Sequence, residues 1–427
     1  MCEVGMYFAY FYPIGLDLPR RRQPWLSMLL IGSILAVFVW QRWFADRLPV
    51  HPWDLVFFVG GGRPWTAASA LLLHAGWLHL AGNLVYLGVF LPALEDRLGR
   101  AGILLLFLVT GIAGNLAHGI AAWQGWLGQS GLGILGASGA ISGLLGFALV
   151  RIPYARVAVA YWVLAPLQGQ NRAGRCRLPL PAAVMAWLLL QVVQASLAGE
   201  SASLVSYPAH LGGFGLGLVL AMGLGGARDA RAEGCLLRAR RYLAGGEGLA
   251  AAGAYADYLA LQPGDLAAAA EQARALVMGG VAERAAAAYR DVFRRATAAG
   301  RWDLALATLA EGRRGGGGLG LDVDELAAAA RESERAGDQD LALCLYMDLV
   351  QQGRAHPASD RAWVRLLLLL HADPARQAEA RVWLARARQS LPAGAWRDYL
   401  EQTFRQPPDD RAQSAPDTRP QPAAPRA

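Results

Sequence analysis

The chain has 427 residues, about three times the ~150 that serve as a loose measure of one domain. With 55% hydrophobic residues and a mean hydropathy of +0.27, it is too apolar for a disordered chain or an ordinary water-soluble protein. The net charge is +7, from 40 basic residues (every one arginine) and 33 acidic ones. Its distribution tells more than its sum. Residues 1–228 hold 14 arginines and 7 acids, whereas residues 229–427 hold 26 of each. The surplus therefore lies in the charge-poor half, not on a polar, water-facing domain, which argues against nucleic acid as a partner. Two different solvents for the two halves fit better. The absence of lysine points to a GC-rich bacterial genome.

Taken in chain order, residues 1–24 form an N-terminal segment on the cytoplasmic side. Its first 16 residues are apolar, but no charged stretch precedes them and no A-x-A site follows, so a cleaved signal peptide is not expected. A membrane domain occupies 25–226. Within it, spans long enough to cross a hydrocarbon core of about 30 Å fall near 25–44, 77–96, 101–121, 137–152, 181–199 and 207–226. The segment 157–166 (VAVAYWVLAP) is apolar too, but Pro153 and Pro166 bracket it, and it reads as interfacial. Six spans with the N-terminus inside leave Arg20, Arg21, Arg22, Arg97, Arg100, Arg151, Arg156, Arg172, Arg175, Arg177 and Arg228 on the inner side. Only Arg42, Arg47 and Arg63 fall outside. Eleven against three is a strong positive-inside bias and puts both termini in the cytoplasm.

Residues 227–245 read as a basic linker. From 246 to 405 come Ala-rich, charge-flanked segments of helical period, broken at Pro263-Gly264, Gly315–Gly318, Pro357, Pro374 and Pro392. Tyr255 and Tyr289 are 34 residues apart, and "YADYLALQPGD" resembles the end of a tetratricopeptide helix pair, although the next copy falls out of register. The expectation is a cytoplasmic solenoid of helical hairpins, either a surface for a protein partner or a stable appendage. Residues 406–427, rich in proline, are expected to be disordered. The fold class is thus all-α: a polytopic six-helix membrane bundle with a soluble helical C-terminal domain. Cys2, Cys176, Cys235 and Cys344 include no CxxC pair, so neither a disulfide framework nor a metal site is expected, and no cofactor.

Polar side chains inside apolar spans need a reason, because an unpaired polar group in lipid costs several kcal/mol. Span two carries His79 and Asn83, four apart and so on one face. Span four opens GASGAISG, with Ser138 among Gly136, Gly139 and Gly143; span six opens AHLGGFGLG, with His210 ahead of Gly213 and Gly217. All three groups lie toward the outer ends of their spans. Gly139/Gly143 and Gly213/Gly217 form small-xxx-small ridges that let two helix backbones approach closely. Contact along those ridges would bring Ser138 within reach of His210, whose neutral imidazole could accept the serine proton. His79, Asn83 and the free N–H groups at a helix start could then stabilise an oxyanion. Each piece has a plainer reading. Glycine ridges often serve packing alone, a lone serine often bonds its own i−4 carbonyl, and a His–Asn pair can be an interhelical clamp. Their conjunction at one depth favours catalysis.

With these motifs in place, residues 25–226 resemble the rhomboid intramembrane serine proteases. The resemblance rests on HxxxN (His79, Asn83), GxSG (Gly136, Ser138, Gly139) and AHxxG (Ala209, His210, Gly213), in that order and in those spans. The stretches "LLLHAGWLHLAGNLVYLGVFLPALEDRLG" and "HLGGFGLGL" share in it. It implies hydrolysis of a peptide bond in or near a membrane segment, at a small residue with helix-weakening neighbours. Ser138 and His210 would act as a dyad, with His79, Asn83 and the Ser138 N–H as oxyanion hole. It also implies a structural or water-retaining role for His74 and a structural one for Glu95 and Arg97. Two positions depart from the family pattern. Ser142 stands where an aromatic usually packs on the histidine, leaving that ring to another partner or less rigid. Trp65-Thr66 stands where the first outer loop usually carries Trp-Arg, with Arg63 displaced nearby. Asn115, His118, Gln191 and Gln194 read as interhelical bonds rather than chemistry. The rival function is an inactive relative that binds membrane clients. A transporter is disfavoured by the lack of paired broken repeats, and a metalloprotease by the lack of HExxH.

Overall fold

The structure is a computed structural model. It describes residues 8–47, 49–61, 63–126, 133–165, 170–197, 206–314, 319–352 and 356–404. The chain divides into two compact units, Met1–Leu237 and Arg238–Ala427.

In the first unit, helix α1 (Trp25–Trp43) starts where the apolar run starts. Its first turn is held by a carboxylate from elsewhere in the chain. Glu95 accepts from the backbone N–H of Leu26 and Ser27 (3.2 and 2.7 Å) and from Ser27 Oγ (2.5 Å). After a two-residue strand β2 (Phe57–Phe58) and a single turn α2 (Thr66–Ser69) comes α3 (Trp77–Trp123). It contains the second and third predicted spans in one 47-residue run, broken only at Gly99, whose φ of 72° belongs to the left-handed region that glycine tolerates. Strand β3 (Gly133–Ile134) pairs with β2 ahead of α4 (Ser138–Arg151). Helices α5 (Leu180–Leu197) and α6 (Tyr207–Gly223) begin within a residue of the apolar runs expected there. Among the described residues, α1 and α3 are long and apolar enough to cross a membrane, and α4 and the described part of α5 are shorter apolar helices.

The unit is not helical throughout. Segment 157–166, expected as interfacial, is strand β4 (Arg156–Ala165), the centre of an antiparallel sheet. On one side lies β1 (Phe8–Leu16), from the expected N-terminal segment; on the other lies β5 (Gln170–Pro179), from the arginine-rich loop. Val157 pairs with Leu16 and Leu178, and Val159 with Pro13 and Cys176. Both valines are buried, whereas Trp162 is exposed. β-Branched residues alternating along a pleat are what a strand requires, and a window averaging hydropathy does not detect that period.

The expected linker 227–245 is also structured. It is helix α7 (Gly226–Ala244), which follows α6 after a bend of 71°. Its Glu233, 7% exposed, bonds Arg97 Nη2 at 2.7 Å and Arg151 Nη1 at 3.0 Å, with Arg21 Nη2 at 3.4 Å. Burial alone would raise the Glu233 carboxyl. The Tyr154 hydroxyl and the Arg97 and Arg151 guanidiniums facing it outweigh that and hold it below its ordinary value. Part of the arginine surplus in this unit is thus neutralised by one carboxylate from beyond the apolar region.

The second unit holds α8 (Gly248–Leu261), α9 (Leu266–Met278), α10 (Ala282–Ala298), α11 (Trp302–Arg314), α12 (Val323–Arg335), α13 (Gln339–Gln352), α14 (Pro357–Ala372), α15 (Gln377–Ser390) and α16 (Ala395–Thr403). From α8 to α14 each helix packs on the next in chain order. Pro263-Gly264 lies in the break between α8 and α9, whereas Pro357 opens α14, where its missing N–H costs nothing. Tyr255 and Tyr289 are both buried. Arginines reach over a neighbouring helix to acids two helices on: Arg274 to Glu311 (2.5 and 2.8 Å) and Arg294 to Glu325 (2.5 and 3.1 Å). Arg313 to Asp348 repeats the spacing. Gly315–Gly318 and residues 406–427 lie outside the described residues.

Candidate active site

The first turns of α3 carry His79 and Asn83 on one face, with Gly76 at the extended position before the helix. Asn83 Nδ2 lies 2.8 Å from His74 Nε2, both side chains buried. His74 is fixed from α1. Its N–H donates to Gln41 Oε1 (3.2 Å) and its carbonyl accepts from Gln41 Nε2 (2.9 Å). The His79 ring stands edge-on to that of His74, centroids 5.1 Å apart.

The turn before α4 lies directly against this pair. Gly136 has a φ of 119°, and its N–H donates to the Ala70 carbonyl at 2.9 Å. A Cβ added there would stand 2.7 Å from His79 Cε1, 2.8 Å from its Nε2 and 3.8 Å from Asn83 Nδ2. Glycine is needed twice, for the backbone angle and for the space. Ser138 opens α4, so its N–H and those of Gly139 and Ala140 have no partner within the helix.

Helices α4 and α6 meet along the two glycine pairs. A side chain on Gly213 would run into the Gly139 carbonyl, and one on Gly217 into the Gly143 carbonyl. Helix α3 joins the same seam through Gly114, which the sequence reading did not single out. A Cβ there would be 2.7 Å from the Ala209 carbonyl oxygen and 3.2 Å from Gly139 Cα. The seam puts Ser138 and His210 on facing helices, although among the described residues no hydrogen bond joins them.

His210 is 8% exposed, and its Nδ1 lies 2.6 Å from Oε1 of Gln191 on α5. The Trp187 ring lies beside it, centroids 6.1 Å apart and tilted by 38°, and also beside Phe214 at 6.3 Å. An aromatic neighbour for the imidazole thus comes from α5. Ser142, at the position where an aromatic usually stands, is fully buried and donates to the Ser138 carbonyl at 2.8 Å. Gln191 does bridge helices, as expected, but its partner is His210 itself. No spacing rule finds such a pair. Trp187 and Gln191 four apart on one face was the available signal.

The remaining polar residues hold structure. Asn115 Nδ2 donates to the Ala67 carbonyl (2.8 Å), and His118 Nδ1 meets Ser206 Oγ (2.8 Å) at the start of α6. The side chain of Gln194 lies outside the described residues. Glu95 caps α1, and Arg97 bonds the Ala93 carbonyl and Glu233 (2.9 and 2.7 Å). Where Thr66 replaces the usual arginine, Arg63 pairs instead with Asp54 at 2.9 Å, while Thr66 Oγ1 donates to the Arg63 carbonyl at 2.6 Å. The Arg63 guanidinium holds the Asp54 carboxyl below its ordinary value, helped by the His51 backbone.

The same region is similar to known proteins. Residues 61–227 match the family model described as the rhomboid domain, and they contain every candidate site residue above. YdcA of Bacillus subtilis (strain 168), named as a candidate rhomboid protease, is 37% identical over 118 residues, 26% of this chain and 56% of that protein. The mitochondrial RHOMBOID-like protein 6 of Arabidopsis thaliana is 31% identical over 107 residues, 25% of this chain and 32% of the relative. RHOMBOID-like protein 5 of the same plant is 34% identical over 91 residues, 21% and 28% respectively. The chain spans about half the length of the first relative and a third or less of the other two. Together these matches support the rhomboid family for the 61–227 region.

Proposed function

We propose that this chain is an intramembrane serine endopeptidase, integral to a bacterial inner membrane, that cleaves peptide bonds in or near transmembrane segments. Ser138 Oγ attacks the scissile carbonyl while His210 Nε2 takes its proton. The oxyanion that forms is received by the Ser138 N–H, His79 and Asn83. Collapse expels the amine, which leaves with the proton from His210, and an acyl-Ser138 ester remains. Water then attacks the ester, giving a proton to His210; collapse breaks the Ser138 Oγ–acyl bond, His210 returns that proton to Oγ, and the product departs as its carboxylic acid. The observation that carries this reading is Gly136. Its missing side chain seats the turn before Ser138 directly on His79 and Asn83, so that donors from two elements converge beside the nucleophile. Each such donor is worth roughly 10²–10³ in rate where measured in other hydrolases.

In this reading six helical segments cross the bilayer, α3 supplying two of them on either side of Gly99, with both termini cytoplasmic. The positive-inside bias and the cluster of Arg21, Arg97 and Arg151 on one carboxylate support that orientation. The second unit acts as a tetratricopeptide-like surface for a protein partner. A second reading, a relative that binds clients without cutting them, draws on Ser142, whose hydroxyl is turned back to its own helix.

The test is cleavage of a single-span reporter in proteoliposomes by the full chain and by Ser138→Ala and His210→Ala. Each variant should lose activity by at least about a thousandfold, since dyad members act as a unit. Cleavage by the unaltered chain no faster than by Ser138→Ala would sink the protease reading, and capture of the intact reporter would favour the second.

A further inference from the structure

We infer that Gln191 is a positioning residue for the dyad: it selects the imidazole tautomer of His210 that can act as a base. This rests on the protease reading above and adds to the dyad a third, uncharged member from a helix that carries none of the three motifs.

The argument is one of hydrogen-bond valence. Gln191 and His210 are each 8% exposed, so neither can readily exchange the other for water. The contact is 2.6 Å, from Nδ1 to the amide oxygen Oε1. An amide oxygen has lone pairs and no hydrogen, so a neutral imidazole that bonds it must carry its proton on Nδ1. Its Nε2 is then an acceptor, which is what removing a serine proton requires. With Oε1 toward the ring, as it stands here, the opposite tautomer would set two lone pairs against each other in a site that excludes water. Burying a polar group without a partner is costly, enough to bias the tautomers several-fold or more.

Position supports the same role. Trp187 and Gln191 are four apart on α5 and both meet His210, the tryptophan beside the ring and the amide in contact with Nδ1. Together they fix the ring in plane and in tautomer from one helix face. On α4, the nearby Ser142 is committed to the Ser138 carbonyl and contributes no such restraint. Unlike an aspartate, an amide adds no charge to the imidazolium formed during turnover. Gln191 therefore orients His210 rather than strengthening it as a base.

A structural role alone would make Gln191 a tie between α5 and α6, and the experiment separates the two. Gln191→Leu keeps the bulk and removes the acceptor; Gln191→Glu restores an acceptor that cannot donate. Reporter cleavage in proteoliposomes by the full chain should show kcat falling about tenfold to a hundredfold in Gln191→Leu with KM unchanged, within the roughly 10²–10⁴ that acid–base catalysis supplies as a whole. Gln191→Glu should recover most of the loss. Nitrogen-15 NMR of histidine-labelled protein, with the His210 signal assigned through His210→Gln, should show Nδ1–H in the unaltered chain and in Ser138→Ala. In Gln191→Leu the tautomers should be mixed. A Gln191→Leu variant with unaltered kcat or an unaltered tautomer overturns the inference, as does a loss of kcat that Gln191→Glu does not restore. If the unaltered chain does not cleave at all, the protease reading fails while the NMR result still decides whether Gln191 sets the tautomer.

Discussion

Gly136 shows how much one residue can decide. A side chain there would be strained by a φ of 119° and would press on His79 at 2.7 Å. Gly136→Ala should therefore leave the helices intact but push the turn away from His79 and Asn83. We expect cleavage to fall about a hundredfold, the scale of one lost oxyanion donor, together with a lowered thermal midpoint, because an L side chain at that φ is strained. A variant cleaving at the unaltered rate would remove Gly136 from the site. The GxSG spacing made this glycine visible in the sequence, and HxxxN did the same for its neighbours. The contact between the two motifs was not visible, because their residues are more than fifty apart and nothing local sets that distance.

At the scale of elements, the α4–α6 seam is the joint on which the site depends. The close approach comes from absent side chains, so its energy lies in backbone contact over a length that any Cβ would interrupt. Gly217→Ala directs a methyl group at the Gly143 carbonyl, a backbone atom that cannot rotate aside. Overpacking of this kind costs about 1–3 kcal/mol, and it should appear as a lower midpoint of unfolding in micelles together with weaker cleavage. A similar substitution at Gly215, where a Cβ meets nothing within 4 Å, is the control and should be silent. The ridges were readable from a period of four. The contribution of α3 through Gly114 was not, since Gly114 belongs to no repeat and gains its meaning only from Ala209 and Gly139 facing it.

At the scale of the molecule, Glu233 draws α3, α4, α7 and the segment before α1 together within the first unit. Its folded carboxyl titrates below the ordinary value of 4.5, so its contribution is complete above that pH and is lost as pH falls through the lowered value. The unfolding midpoint of the isolated first unit should therefore drop on acidification below about 4.5, by less in Glu233→Gln than in the unaltered chain. At neutral pH the variant should be weaker by about 1–3 kcal/mol, the cost of leaving buried donors on Arg97 short of an acceptor. The second unit is expected to recruit rather than to cut. Deleting 246–427 should leave cleavage of a generic reporter unchanged within error while lowering retention of any native partner. Loss of all cleavage by a protein that remains folded would show that this unit does more.

Much of this protein is written locally. Apolar runs locate the helices, the charge split separates the two halves, and the spacing of four places His79 with Asn83 and Gly213 with Gly217, because helix period and hydropathy are properties of neighbours in sequence. Contacts between distant segments had to come from the fold. Strand β1 pairs with residues nearly 150 positions on, and β4 could become its centre only once both flanking strands were present. The supposed linker is α7, and its Glu233 meets three arginines from other segments. His210 found its neighbouring ring and its amide partner on α5. Pairing and burial depend on which groups face each other across helices and strands, and only the tertiary structure decides that.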